Sequence, residues 1–334
     1  MQNHKRQTRV ERTDWQTELV NAITSVDELL HLLELDHLCD TVLPEPVFRL
    51  LVPRAYVTKM QPRNADDPLL RQVLPLAMEN APSGYWDPVG DLGAMSSPGL
   101  LHKYRGRVLL ITTGACAVHC RYCFRRHFPY ASANAGKHKW QQALDYLAGH
   151  DDIEEVILSG GDPLVMDNDK LGQLFGALEQ ISHLKWLRIH TRLPVVLPAR
   201  IDDALIAQLQ KLRFRTTMVI HANHANELMI DEAKALHRLT ACGVTLLNQS
   251  VLLNGVNDSA STLIDLSKRL YEVGVLPYYL HMLDPAQGVM HFDVAQNRAV
   301  EMLNVLHSSL PGYLVPRLVR ENPGAASKTA IFTI

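Results

Sequence analysis

Three cysteines, Cys116, Cys120 and Cys123, fall within eight positions in the stretch CAVHCRYCF, in a chain with only two other cysteines. Four kinds of chemistry use thiols this close. A buried cysteine behaves as a small hydrophobe. That role suits Cys39 and Cys242, each on a stretch of helical character, but not a cluster flanked by His119, Arg121, Arg125 and Arg126. A closed zinc site takes four ligands, usually as two pairs. His119 or His127 could complete one, yet no second C-x2-C occurs. A redox pair of Cys120 and Cys123 leaves Cys116 without a task. An iron–sulfur cluster takes soft thiolates, and three of them leave one iron open to an outside ligand. The spacing fits this last chemistry best, with zinc as its rival.

These thiols need a scaffold, and a rhythm that begins at residue 107 supplies one. RVLLITTG, EEVILSGG, WLRIHTR, TTMVIH, GVTLLNQSVLL and GVLPYYLHML are short, apolar, β-branched or aromatic runs. Amphipathic segments such as KWQQALDYLAG, DDALIAQLQKL, DEAKALHRLTACG and SASTLIDLSKRLYEVG alternate with them, several ending at a glycine placed as a helix cap (Gly149, Gly243, Gly274). Runs buried on both faces that alternate with helices predict βαβ units and a parallel sheet. Six strand–helix units between about residues 107 and 308 are too few for a full eight-unit barrel, so a partial barrel or an open sheet is expected. Both folds place chemistry at the C-terminal strand ends. Those ends read TTGACAVHCRYCF, SGGDP, HTR, HANHANE, NQS and HMLDP, all rich in glycine or polar groups.

Ahead of this rhythm, residues 15–36 carry helical spacing with a start signal at SVDE, and prolines at 44, 46, 53 and 62 break the next stretch into short pieces. The Gly/Pro/Ser-rich connector SGYWDPVGDLGAMSSPG (83–99) suggests a boundary. The organisation expected is a mostly helical region over 1–97, a barrel over 98–312 and a C-terminal segment over 313–334.

The 334 residues carry a net charge of −2, without the basic surplus of a nucleic-acid-binding surface. No apolar run approaches the roughly 18 residues that span a bilayer. The polar N-terminus has no apolar core of a signal peptide. An odd count of five cysteines, three of them clustered, argues against a secreted disulfide scaffold and for the reducing cytoplasm.

C-x3-C-x2-C in a loop after the first barrel strand resembles the signature of the radical S-adenosylmethionine (SAM) family, with Tyr122 where an aromatic residue commonly precedes the third cysteine. The likeness extends over residues 98–330 to the lysine 2,3-aminomutases. It is carried by HKYRGRVLLITTGACAVHCRYCFRRHFPY, SGGDPL, LRIHTRLPVVLPARI, LLNQSVLLNGVND, PYYLHMLDPAQGVMHF and SKTA. CRYCFRRHFPY, HANHANE and GYLVPRLVRE resemble the bacterial branch that serves β-lysylation of elongation factor P.

The resemblance implies a partial (βα)6 TIM-like barrel and three cofactors. A [4Fe–4S] cluster would sit on Cys116, Cys120 and Cys123. SAM would complete that cluster, its methionine amine held by Gly160, Gly161 and Asp162. Pyridoxal phosphate would form a Schiff base with Lys328, with Lys103, Tyr104, Arg107 and Gln249 around it. Lysine would be gripped by Arg125 at its carboxylate and by Asp284 and Glu321 at its side-chain amine.

Three positions depart from the family's pattern. Lys103 and Glu321 stand where the longer aminomutases carry Arg and Asp, and Gly324 with two alanines replaces a run of glycines. The implied reaction converts L-lysine to β-lysine, as the (R) form in this branch. The implied partners are a reductant such as flavodoxin and an elongation factor P lysyl-ligase, with no nucleic acid and no membrane. A homo-oligomer stays open. An aminomutase acting on arginine or glutamate is the alternative, although two acids would repel a glutamate side chain.

Overall fold

The computed structural model describes residues 14–43, 48–133 and 137–332. The polar N-terminal stretch to residue 13, with Pro44 and Pro46, lies outside the described residues.

The N-terminal region forms short helical pieces, α1 (Asp14–Val20), α2 (Val26–Leu32) and α3 (Arg54–Val57), separated by 3-10 turns. The helical pattern over 15–36 divides in two because Ile23 bridges to Val52. Ser25 then caps α2, its hydroxyl accepting from the Glu28 amide at 3.2 Å. Cys39, expected as a buried hydrophobe, is exposed on a 3-10 turn.

Ten strands are described: β1 (Met95–Ser97), β2 (Leu100–Tyr104), β3 (Arg107–Thr113), β4 (Glu155–Gly160), β5 (Trp186–Thr191), β6 (Arg215–Ile220), β7 (Thr245–Val251), β8 (Leu276–His281), β9 (Arg317–Arg320) and β10 (Thr329–Ala330). They hydrogen-bond in chain order into one sheet. From β3 to β9 the strands run parallel, while β1, β2 and β10 add antiparallel edges.

The helices between are α4 (Tyr130–Ala133), α5 (Lys137–Ala148), α6 (Asn168–Glu179), α7 (Leu193–Val196), α8 (Asp203–Lys211), α9 (Ile230–Ala241), α10 (Ala260–Glu272) and α11 (Gln296–Ser309). Crossovers between parallel strands are right-handed. Because the strand order never reverses, all of them fall on one face. A sheet covered on one face curls around the other, which gives a partial barrel of six strand–helix units. β9 is a further parallel strand that the pattern of apolar runs did not announce.

Side chains alternate across each strand. Leu187 and Ile189 on β5, Leu280 on β8 and Leu318 on β9 enter the apolar layer beneath the helices. Their neighbours Arg188, His190, Tyr279, His281, Arg317 and Val319 line the concave face. Trp15, Ile23, Leu29 and Tyr56 share one hydrophobic cluster with Leu110, Leu158, Ile189 and Met218, so the N-terminal region packs on the barrel's own core. The boundary expected at residue 97 falls between β1 and β2, which pair with each other. Gly243 and Gly274 take φ of 88° and 79° just past α9 and α10, as caps do, whereas Gly149 follows α5 without a positive φ. No helix among the described residues is long and apolar enough to cross a membrane.

Candidate active site

The concave face encloses a cavity of about 610 Å³. Every residue singled out from the sequence for cluster, cofactor or substrate lines it: the three cysteines, Gly160, Gly161, Asp162, Lys103, Tyr104, Arg107, Gln249, Arg125, Asp284, Glu321 and Lys328.

The cysteine loop follows β3 and is held from two sides. The Gly161 amide donates to the Thr113 carbonyl at 2.7 Å and the Asp162 amide to the Ala115 carbonyl at 2.8 Å. A Cβ on Gly161 would collide with the Ala115 carbonyl, and one on Gly160, whose φ is 127°, with the Thr113 carbonyl. These glycines let β4 and the cysteine loop touch backbone to backbone. From the N-terminal region, the Leu51 and Gln72 carbonyls accept the His119 and Arg121 amides at 2.9 Å each. Arg121 and Arg126 both pair with the buried Glu79. The basic flank of the cluster is therefore partly an anchor.

Burial, then Cys123, Asp162 and Cys120, push the Cys116 thiol well up, and burial with Cys120 pushes Cys123 up to about 11. Thiols in this state become ligands only when a metal replaces their protons. Among the described residues no three His, Cys, Asp or Glu side chains converge to cage a single ion. Three thiols facing a large cavity are a donor set that suits a multi-atom cluster. Arg192 Nη1 donates to Cys120 Sγ at 2.7 Å, while its Nη2 meets Gln72 at 2.7 Å and Glu227 at 2.8 Å. Tyr122 places its hydroxyl 2.9 Å from His221 Nε2 and stacks on that ring. Burial, then Arg192, holds His221 down at about 3, so it is neutral.

Asp162 has a different environment from the one expected. Its carboxylate accepts from Thr191 Oγ1 at 2.7 and 2.9 Å, from the Arg192 amide at 2.7 Å and from the Leu164 amide at 3.0 Å. Both oxygens thus brace the ends of β4 and β5 instead of lying open to an ammonium. Burial nonetheless pushes its carboxyl up to about 6 against these donors.

A chain of ion pairs crosses the other part of the cavity. Arg125 Nε lies 2.7 Å from Asp91 Oδ2, and Asp91 Oδ1 lies 2.6 Å from Lys103 Nζ. Lys103 reaches Glu321 at 3.0 Å, and Glu321 reaches Lys328 at 2.6 Å. Burial would raise both acids, but Arg125 and Lys103 hold Asp91 below the usual carboxylate range. Lys328 and Lys103 hold Glu321 down at about 2. The Arg107 guanidinium lies 4.8 Å over the Tyr104 ring.

Asp284, three residues past β8, is different again. Its Oδ1 is buried without a hydrogen-bond partner, and burial pushes its carboxyl up to about 7 against the pull of Lys328. An orphaned buried carboxylate oxygen in a cavity is a place for a ligand donor. Of the two acids expected to read an amine, Asp284 is open and Glu321 is already engaged.

Asp91 was missed, because the connector that carries it read as a boundary. His190 and His281 were missed too. Both line the cavity and are held well below the usual histidine range, by burial first and by Arg188 and Lys328 respectively. Their strand ends were polar, but a lone histidine carries no signature.

A sheet of this order with three cysteines after its first parallel strand defines the radical SAM class, and the radical SAM superfamily pattern matches residues 110–266. The chain is 48% identical over 325 residues to the L-lysine 2,3-aminomutase of Escherichia coli K12, covering 96% of this chain and 95% of that one. It is 47% identical over 323 residues to the enzyme of the same name from Haemophilus influenzae, covering 96% of each. With the L-lysine 2,3-aminomutase of Clostridium subterminale it shares 33% over 323 residues, 95% of this chain and 77% of that protein. The chain belongs to the lysine 2,3-aminomutase family of radical SAM isomerases. Membership implies a [4Fe–4S] cluster, SAM and pyridoxal phosphate.

Proposed function

We propose that this chain converts L-lysine to (R)-β-lysine in a reaction that depends on pyridoxal phosphate, and that the product is destined for attachment to elongation factor P. The observation that carries the reading is one cavity uniting three thiols, Lys328, Arg125 and Asp284, whose Oδ1 has no hydrogen-bond partner.

Cys116, Cys120 and Cys123 would hold the cluster, with Gly160, Gly161 and Asp162 forming the adjacent wall for SAM. Lys328 would hold pyridoxal phosphate, with Lys103, Arg107, Tyr104 and Gln249 about its phosphate and ring. When bound, these groups supply a hydrogen-abstracting radical and a conjugated carbonyl for the migrating amine.

The chain's own side chains do the rest. Arg125 binds the lysine carboxylate through a charge-assisted fork, and Asp284 receives the side-chain ammonium. Glu321, paired with Lys103 and Lys328, would offer an oxygen to the same ammonium once Lys328 carries the cofactor. The concave wall keeps water from the reacting carbons. We place this work in the cytoplasm, with a flavodoxin-like reductant, and propose the division at 1–97, 98–312 and 313–334 as one of roles rather than separate cores.

The test is anaerobic turnover of lysine with all three cofactors and a reductant, the product resolved on a chiral column. (R)-β-lysine supports the reading, the (S) form overturns its stereochemistry, and turnover of arginine or glutamate alone overturns the substrate. Colourless protein with stoichiometric zinc overturns the cluster. A mass increase on elongation factor P in the presence of its ligase tests the destination.

A further inference from the structure

We propose that Asp91 is a positioning residue for carboxylate recognition: it anchors one edge of Arg125 so that the opposite edge stays open to the substrate. The inference rests on the reading of Arg125 as the carboxylate-binding group.

A guanidinium presents five N–H donors in a rigid plane. In Arg125 the Nε donor goes to Asp91 at 2.7 Å and one Nη1 donor to Ser159 Oγ at 3.2 Å. Nη2 makes no hydrogen bond among the described residues. Three donors remain, two on Nη2 and one on Nη1, and the Nη1–Nη2 end is the side turned away from Asp91, where a carboxylate can approach. The Phe124 ring lies 4.9 Å from the guanidinium carbon and limits its tilt.

Asp91 can orient Arg125 because its own backbone is fixed. Its amide donates to Asp87 Oδ1 at 2.8 Å. The connector is fastened at Tyr85, whose amide donates to the Pro285 carbonyl at 2.8 Å, and whose carbonyl accepts the Gln287 amide at 3.0 Å. Lys103 adds a bond to the Val89 carbonyl at 2.8 Å. Asp91 is 2% exposed, so its charge has few alternatives to Arg125 and Lys103. The same connector that holds Arg125 thus also grips the segment just past Asp284, linking the two ends of the substrate site.

The experiment compares Asp91→Asn, Asp91→Glu and Arg125→Lys in the cofactor-loaded enzyme. It measures KM and kcat for lysine, the inhibition constant of 1,5-diaminopentane (lysine without its carboxylate), and iron and pyridoxal phosphate content. Asp91→Asn should raise the lysine KM about 10- to 100-fold with kcat changed less than about threefold. It should leave diaminopentane binding and both contents unchanged, and Asp91→Glu should recover most of the KM. An unchanged lysine KM in Asp91→Asn, with a raised one in Arg125→Lys, overturns the proposal alone. Unchanged KM in both overturns the carboxylate reading of Arg125. Equal losses for lysine and diaminopentane, or lost iron, would make Asp91 a general structural tie and overturn the proposal as well.

Discussion

Glu321 and Lys328 face each other across the β9–β10 hairpin. The register that pairs Thr329 with Arg320 puts residue 328 opposite residue 321, and Glu321 Oε2 lies 2.6 Å from Lys328 Nζ. Gly324, at φ 77°, supplies the left-handed turn that closes the hairpin. Their seven-residue separation is thus a hairpin geometry. Were Lys328 to carry the cofactor, as proposed, its ammonium charge would be lost in that linkage and Glu321 Oε2 would be left to a substrate cation. Glu321→Gln should therefore raise the lysine KM about tenfold, the cost of one weakened ion pair. It should not weaken pyridoxal phosphate binding, because it leaves Lys103 and Lys328 more exposed to the phosphate charge. Steady-state kinetics and a spectrophotometric cofactor titration read the two effects separately.

Asp284 predicts a pH dependence. An acid must be ionised to receive an ammonium, and burial has pushed this one up to about 7. The lysine KM should climb by about tenfold per unit as pH falls below that value. The stability effect has the opposite sense. The folded-state value exceeds the unfolded value of about 4, so between those limits the native state binds more protons and stability falls as pH rises. Asp284→Asn should remove both slopes, the first in kinetics and the second in denaturant unfolding across pH.

Gly161→Ala should damage the cysteine loop. The added methyl meets the Ala115 carbonyl, so the loop must move away from β4. Overpacking of this kind costs about 1–3 kcal/mol. Iron bound per chain should fall at least severalfold while far-ultraviolet dichroism keeps its shape; normal iron loading would count against the backbone clamp.

Arg192→Met removes the contact to Cys120 together with those to Gln72, Glu227 and Tyr56. Alone it strands Glu227, which is fully buried, and should cost about 3–5 kcal/mol. Adding Glu227→Gln removes that charge and should recover most of the stability. It should not restore the hydrogen bond to sulfur, and such bonds raise cluster potentials. The double variant should therefore show a more negative potential in a redox titration followed by paramagnetic resonance.

Much of the candidate site, the residues that line one cavity, was legible because they lie in short runs at strand ends. CAVHCRYCF, SGGDP and HMLDP each follow a run of apolar β-branched or aromatic residues, and the rhythm of those runs fixes where the loops converge. β9 was not legible because its four residues, RLVR, are too short and too charged to register as a buried run. Asp91 was hidden for a related reason. A Gly/Pro-rich connector is also what a strap over a site looks like, and only the distances to Arg125 and Lys103 separate the two. Asp162 shows the limit of motif reasoning, since a carboxylate after two glycines fits a ligand role and a brace equally well until its partners are known.

The cysteine loop is fastened by protein contacts on several sides: the Gly161 and Asp162 amides just past β4, carbonyls of the N-terminal region and the Glu79 pairs with Arg121 and Arg126. Its position is thus shared between the sheet and the N-terminal region. A change that frees the N-terminal region from the barrel would reach the thiols without touching one.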